Sequence, residues 1–505
     1  MYCNDQSNPL LRQLLSLFPY EPARPVQKAA LGIIARMFDD GNHFSIIEAP
    51  TGAGKSALAF AAARIGATLD DGDFSPGAYI LTPHNNLADR MTSDFGHLGL
   101  ASLKASRHYD PAASGNCHED TCTYEQAKAR FFKTPLGVTN YAYFLRACQL
   151  PERQVLILDE GHNLERILID IEGFSITSQT CAAAGVETPR LFGPHEKERI
   201  VSWLGAVFLP AMRKRPGRFG KSPAQREWED LAERVARYID MEDRSQWVAW
   251  SEEGVVSAKP LSAVAPAREL FARARHVVIQ SATILDFATF QRILGIPGDA
   301  LTFSAPSDFP LRNRPIIYTP IGDMSHRAKE RTIPHLCTHI ARIVSDFSQS
   351  KGVVHTHAYD INQHVFQYLN GKFGSRIISH GRDARDREDA IRRHCASNEA
   401  SVLVSPSLNE GVDLKDDLAR FQIVCKVPYR RLDAYTRARS ARDSSWYDLQ
   451  TAWALIQTIG RGVRSETDSA NTFVLDSQFE KFVTRSERIL PAWWRAAIQT
   501  VAKVA

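Results

Sequence analysis

Short apolar runs recur along the chain and alternate with stretches whose apolar residues are spaced as on a helix. Residues 43–49, 78–82 and 154–158 form such runs, and 276–280, 352–356, 401–405, 421–427 and 471–475 continue the series. A strand covered on both faces carries a nearly unbroken apolar run, and parallel strands need crossovers between them. The alternation therefore predicts α/β layers around parallel sheets. Two regions interrupt the rhythm. Residues 104–135 are polar and contain His108, Cys117, His118 and Cys122, whereas 166–260 read as mostly helical, with Trp228, Leu231, Val235 and Tyr238 along one face. Both are expected to be insertions into the α/β core.

Composition narrows the class without changing the fold. A chain of 505 residues has room for roughly three to four domains, and its 44% hydrophobic and 23% charged residues are those of an ordinary globular protein. The net charge of +4 is small, so a nucleic-acid partner has to be held by local basic patches. Eight scattered cysteines with no C-x-x-C pair exclude a disulfide scaffold and fit a reducing compartment. Residues 1–17 lack the order of a signal peptide, and no apolar run approaches the length of a membrane span, so the expectation is a cytoplasmic protein without a membrane partner.

Ile46 and Ile47 lead into Glu48-Ala49-Pro50-Thr51-Gly52-Ala53-Gly54-Lys55-Ser56, and a helical stretch follows. Strand, glycine loop and helix start, in that order, are what phosphate binding needs. Thr51, Gly52, Ala53 and Gly54 would turn backbone N–H groups inward, Lys55 would reach the terminal phosphates of ATP, and Ser56 would hold Mg²⁺. Further on, Val155-Leu156-Ile157-Leu158 runs into Asp159-Glu160-Gly161-His162. Asp159 would serve the metal and Glu160 would orient the attacking water. Alone, an acidic pair after a strand reads equally as a loop or helix cap; the phosphate loop upstream favours the chemical role.

The second half adds Gln457-Thr458-Ile459-Gly460-Arg461-Gly462-Val463-Arg464. On a helix, Gln457, Arg461 and Arg464 would share one face, as suits a triphosphate approached by arginines that meet transition-state charge. A solvated basic face is the alternative for the triplet by itself.

Taken together, these motifs resemble superfamily 2 helicases of the XPD/DinG type. The resemblance runs through Arg24-Pro25-Val26-Gln27, the phosphate loop, Thr82-Pro83, Asn140-Tyr141, Asp159-Glu160-Gly161-His162, Ser281-Ala282-Thr283, Asn409-Glu410-Gly411-Val412-Asp413 and the 457–464 segment, over about residues 18 to 495. It implies two RecA-like motor domains with a small insert and a mostly helical arch. The first motor domain would take 1–103, 136–165 and 261–303, the small insert 104–135, the arch 166–260 and the second motor domain 304–505. It implies that Gln27 contacts adenine, with a capping or core amide as the alternative, and that Thr82, Pro83, Asn140 and Tyr141 lie along DNA. His162, Ser281 and Thr283 would couple nucleotide state to closure, while Glu410, Gly411 and Asp413 would sit between DNA and ATP. It further implies an ATP-dependent 5′-to-3′ motor on single-stranded DNA, with a monomer as the default state.

Family members commonly carry a [4Fe–4S] cluster on four cysteines in the first insert. Here only Cys117 and Cys122 fall there, too few thiolates for the all-cysteine form. His108 and His118 could complete a zinc site with them, although ordinary loop residues account for the irregular spacing equally well. A cluster-free chain of this type is similar to the helicases that accompany type IV CRISPR effectors, which would make a CRISPR ribonucleoprotein and its R-loop a partner. The basic run Arg213-Lys214-Arg215-Pro216-Gly217-Arg218-Phe219-Gly220-Lys221 reads either as a solvated turn or as a hand on DNA phosphates. Two other functions stay open: a translocase that remodels nucleoprotein complexes without unwinding, and an ATP-binding scaffold without turnover, against which Glu160 and Arg461 argue. RNA also stays open as the track. Elemental analysis of anaerobically purified protein should find no iron; about four iron atoms per chain would mean a cluster with unusual ligands.

Overall fold

The computed structural model of the chain describes residues 8–109, 123–147, 149–189, 196–214, 223–306, 309–408, 414, 416–463 and 467–500. Its strands, in chain order, are β1 (Phe44–Glu48), β2 (Ser75–Thr82), β3 (Ala101–Ser102), β4 (Leu136–Asn140), β5 (Arg153–Leu158), β6 (Phe174–Ile176), β7 (Trp247–Glu252), β8 (Val255–Pro260), β9 (Ala274–Ser281) and β10 (Leu301–Ser304). They continue with β11 (Ile316–Gly322), β12 (Gly352–His355), β13 (Ile377–Ser379), β14 (Val402–Ser405), β15 (Phe421–Val424), β16 (Asn471–Asp476) and β17 (Ile498–Thr500). Two seven-stranded sheets result, ordered β10-β1-β9-β5-β2-β4-β3 and β13-β14-β12-β15-β16-β11-β17, and every pairing in both is parallel. In a parallel sheet all strands end at one edge, so the residues following β1, β2, β4, β5 and β9 share a rim, the usual place for a ligand in an open α/β sheet.

The chain divides into two compact units: Met1–Glu48, Ala53–Ser304 and Arg431–Trp446 in one, and Ala49–Gly52, Ala305–Arg430 and Tyr447–Ala505 in the other. In the first, β1, β5 and β9 are buried along almost their whole length, and the helix Lys55–Gly66 covers them with an alanine-rich, wholly buried middle. In the second, Leu336, Ile340 and Val344 of the helix Lys329–Asp346 pack with Val354, Val402, Val404, Phe421 and Ile423.

The region expected to be mostly helical is so in its larger part, but it departs from the expectation in one added feature. It contains an antiparallel sheet, β6-β8-β7, beside the helix Pro223–Asp240. β7 and β8 are joined through Glu253 and Gly254, both at positive φ, the backbone hand that two-residue hairpins require. Val235 and Tyr238 of the helix are buried against Phe174, Ile176 and Phe208, with Trp228 and Leu231 at the margin.

A second departure concerns the expected second motor domain, 304–505. Its residues Arg431–Trp446 belong to the first unit. The helix Ala434–Arg442 carries Arg439, which is buried and donates to the Glu165 carboxylate at 2.9 Å; the Trp446 indole N–H donates to the other Glu165 oxygen at 2.6 Å. Arg292 pairs with Asp443, and Arg431 with Glu252 at 2.6 Å. Glu165 follows the acidic motif directly, on the helix Leu164–Glu172. Breaking a buried pair strands its partner's charge, at a cost of about 3–5 kcal/mol. Glu165→Gln should therefore lower the stability of the first unit by about 3 kcal/mol, because Arg439 keeps only the distant Asp443 carboxylate at 3.9 Å. Denaturant unfolding checks this, and a midpoint equal to wild type would remove the pair from the account of the segment.

Candidate active site

Each polar residue of interest in the first unit sits where a buried strand runs out. At the end of β1 the chain enters the phosphate loop, in which Gly52 and Gly54 take left-handed φ values of 83° and 87°. Gly54 is the N-cap of the helix that begins at Lys55, so the N–H groups of Lys55 and Ser56 lie at a helix start, which favours an anion, while the Ala57 N–H returns to the Gly54 carbonyl at 3.0 Å. A Cβ on Gly54 would lie 2.4 Å from the Gln27 amide nitrogen, which adds a steric demand to the conformational one.

Gln27 uses both ends of its amide. Its oxygen accepts the Arg24 backbone N–H at 2.8 Å, capping the helix Pro25–Asp39, and its nitrogen donates to the Ala53 carbonyl at 2.9 Å. The capping alternative is thus realised, and the same side chain holds the phosphate loop.

Asp159, at the end of β5, is buried, and its Oδ1 accepts from the Gln280 amide at 2.8 Å. Burial pushes its carboxyl up to about 6; neighbouring Glu160 pushes the same way, whereas Lys55 and the Gln280 hydrogen bond pull it down. A carboxylate and a serine hydroxyl are hard oxygen ligands suited to Mg²⁺, which takes one or two protein oxygens beside phosphate and water. Among the described residues no group of three or more His, Cys, Asp or Glu is gathered to hold a metal alone. Glu160 is in the left-handed region, at φ 50° and ψ 47°, a strained conformation for a residue with a Cβ. Its side chain is about a quarter exposed, open to water as an orienting base must be.

Behind this pair lies a closed polar chain. Asn163 donates to His162 Nε2 at 2.9 Å, which leaves His162 Nδ1 to donate to Ser281 Oγ at 2.7 Å; Ser281 Oγ in turn accepts the Thr283 N–H at 3.1 Å. The structure thus joins His162, Ser281 and Thr283, three motif residues 119 or more positions apart at the first link. Glu48 secures the same loop by accepting the N–H groups of Ile284 and Leu285, each at 2.8 Å, and the Ser304 hydroxyl at 2.6 Å. Glu48 and Gln280 were missed in the sequence, although a lone charged or amide residue ending an apolar run is a usable signal.

The residues expected along DNA separate. Asn140 caps the helix Tyr141–Arg146 and bonds to Asn85, which also meets His108 Nε2 at 3.0 Å. Pro83 is half-buried, and Thr82 is buried and turned onto the His84 carbonyl at 3.0 Å. Tyr141 is corrected: its ring is buried and its hydroxyl donates to the Asp159 carbonyl at 2.8 Å, so it supports the acidic motif and does not face a nucleic acid. Arg213 and Lys214 are exposed at the end of the helix Leu209–Arg213. Arg215, Glu410, Gly411, Asp413, Arg464, Cys117, His118 and Cys122 lie outside the described residues.

The 457–464 segment also differs from its expected single helical face. The helix Ser444–Ile459 stops before Arg461, leaving half-buried Gln457 in its last turn and Arg461 in the turn beyond. Arg461 is buried and donates to the Leu408 carbonyl at 3.3 Å.

Two all-parallel sheets, one carrying a phosphate loop with a buried Asp159 beside a partly open Glu160 and the other a buried arginine, define a two-unit P-loop motor protein. Comparison with known proteins agrees. Residues 21–173 match the family model described as the type III restriction enzyme res subunit, and residues 341–497 match the helicase C-terminal domain. The ATP-dependent helicase DinG of Mycobacterium tuberculosis is 24% identical over 468 residues, covering 76% of this chain and 68% of that protein; DinG of Mycobacterium bovis matches to the same extent. The solved structure of S. tokodaii Xpd4 covers 95% of this chain and all of its own at a TM-score of 0.63 and 15% identity, and an apo XPD structure reaches 0.64 over 94% at 15% identity. Together, the two domain matches, the DinG relatives and the XPD-like fold support a superfamily 2 helicase of the XPD/DinG type. None of these names refers to a CRISPR effector. Among the described residues no helix is long and apolar enough to cross a membrane.

The packing around Gly161 leaves no room for a side chain. A Cβ there would lie 2.3 Å from Ile279 Cγ2 on β9, a branch that a strand rotamer holds stiffly. Gly161→Ala should cost about 1–3 kcal/mol through overpacking. Adding Ile279→Leu, which has no branch at Cβ, should recover part of that loss. Thermal unfolding of the single and double variants checks the pair, and equal stability of Gly161→Ala and wild type would contradict it.

Proposed function

We propose that the chain is an ATP-driven helicase that moves 5′ to 3′ along single-stranded DNA. The observation that carries this reading is the buried Asp159, bonded to Gln280 and under the influence of Lys55, beside the strained and partly open Glu160. Lys55 and the first-turn N–H groups would bind the phosphates of ATP. A magnesium ion held by Ser56 and Asp159 would neutralise charge on them. Glu160 would orient water toward the terminal phosphate, and its neighbour His162 would report the outcome through Ser281 and Thr283. We further assign Arg461 to the charge that develops on the triphosphate; motif order carries that assignment, and such arginines contribute ~10³–10⁵ in rate. Asn85, His108 and Asn140, clustered at the ends of β2 and β4, offer polar groups to a nucleic-acid backbone. The names of the relatives support helicase activity, and the single-stranded DNA track and its direction follow from the family resemblance.

One set of assays tests the whole. ATP hydrolysis should rise with single-stranded DNA more than with duplex DNA or RNA, and a partial duplex with a 5′ overhang should be unwound in preference to one with a 3′ overhang. Lys55→Ala should abolish turnover in every case while leaving the circular dichroism spectrum unchanged. Normal hydrolysis by folded Lys55→Ala would sink the reading. Stimulation without strand displacement would replace the helicase by a translocase.

A further inference from the structure

Gln422 is buried on β15, between Phe421 and Ile423, in register with Val353 of β12 and Thr472 of β16. An amide inside a central strand is costly unless both of its ends are bonded. Its nitrogen donates to the Ile459 carbonyl at 3.0 Å and meets Thr472 Oγ1 at 3.4 Å, so its oxygen is left to accept from His355 Nε2 at 3.2 Å.

The Ile459 carbonyl is the important partner. If the helix Ser444–Ile459 ran on, that carbonyl would take the Val463 N–H. The Gln422 amide occupies it; the Gly460 N–H still makes the last helical bond, to the Ile456 carbonyl at 2.8 Å, and the chain turns away after it. Gly462 then passes tightly against the same amide, where a Cβ would lie 2.6 Å from Gln422 Nε2 and 2.7 Å from the Ala470 Cβ. Arg461 lies between these two glycines. The imidazoles of His355 and His357 lie near its charge, and burial, ahead of every charge effect, disfavours protonation of both rings. Arg461 therefore has no imidazolium opposing it at neutral pH.

We propose that Gln422 is a positioning residue for Arg461: by taking the Ile459 carbonyl it ends the helix and fixes the turn from which the guanidinium is presented. The proposal rests on the reading of Arg461 as a group that meets the triphosphate.

The test uses the full chain with saturating single-stranded DNA. Gln422→Met keeps the side-chain length and removes both hydrogen-bonding ends. Turnover at saturating ATP should fall roughly tenfold or more, since small misplacements of a charged group are expensive in rate. Affinity for a non-hydrolysable ATP analogue should stay within about twofold. In an Arg461→Ala background, Gln422→Met should cause no further loss, because the two act as one. Gly462→Ala disturbs the same turn from its other side and should show the same split; it carries the test where Gln422→Met does not fold. Wild-type turnover by Arg461→Ala would overturn the reading of Arg461 and this proposal with it. An impaired Arg461→Ala beside normal Gln422→Met and Gly462→Ala would overturn the positioning role alone. Equal proportional losses from Gln422→Met with and without Arg461 would also overturn it.

Discussion

Burying the Asp159 carboxylate at the end of a central strand is the constraint around which the first unit is arranged. A carboxylate removed from water must be bonded or compensated, or it takes up a proton. Here the compensation comes from two places far away in the chain, the Gln280 amide on β9 and the charge of Lys55 at the head of a helix, and from the adjacent backbone N–H of Glu160. Tyr141 completes the setting by donating to the Asp159 carbonyl from below the rim. Each of these groups lies at the carboxyl end of a parallel strand or at the start of the helix that follows, which is the one edge where five strands deliver residues together. The acid pair depends on the sheet order, because moving β9 one place in the sheet would remove Gln280 from it.

Glutamine recurs as the joint that holds loops to this framework. Gln27 ties a helix start to the phosphate loop, Gln280 ties β9 to Asp159, and Gln422 ties β15 to the end of a helix. The choice has a chemical reason. A carboxylate only accepts and a lysine only donates, whereas an amide does both along one axis and carries no charge to desolvate. It can therefore bridge a donor and an acceptor inside a core at low cost, provided both are present. Glu48 does the complementary work where only donors need satisfying: two backbone N–H groups and a serine hydroxyl meet its two oxygens.

Most of the architecture was legible in the apolar pattern because the central strands are covered on both faces. All eight expected runs contain strands, with ends that differ by up to three residues. The strands that went unread include the four at the sheet edges, β3, β10, β13 and β17. They are two to four residues long and partly exposed, so no apolar run marks them. β11 was hidden by Pro320 and Gly322 within it, and the β7–β8 hairpin by its mixture of aromatic, small and charged residues, although the Glu253-Gly254 turn was readable. The phosphate loop and acidic motif were legible because chain order alone specifies them. Tyr141 and Arg461 were not, since the burial of a tyrosine and the end of a helix depend on what other strands place beneath them.

That dependence also explains why single motif positions are held to glycine. Alanine is excluded at 161 by the Ile279 branch, and a Cβ is excluded at 462 by Gln422 and Ala470. In both cases the motif residue and its steric partner are distant in sequence but adjacent in the sheet or its rim. A substitution in one is tolerated when the other has room, so the pair is the unit under constraint. The helix end at Ile459 follows the same logic. Periodicity predicts a continuous face through 457, 461 and 464, and local propensity weakens it only at Gly460 and Gly462. The buried amide decides the outcome by claiming the carbonyl that the next turn would need. Arg461 thereby becomes a residue of a fixed turn, with its orientation set by the sheet and not by the phase of the helix.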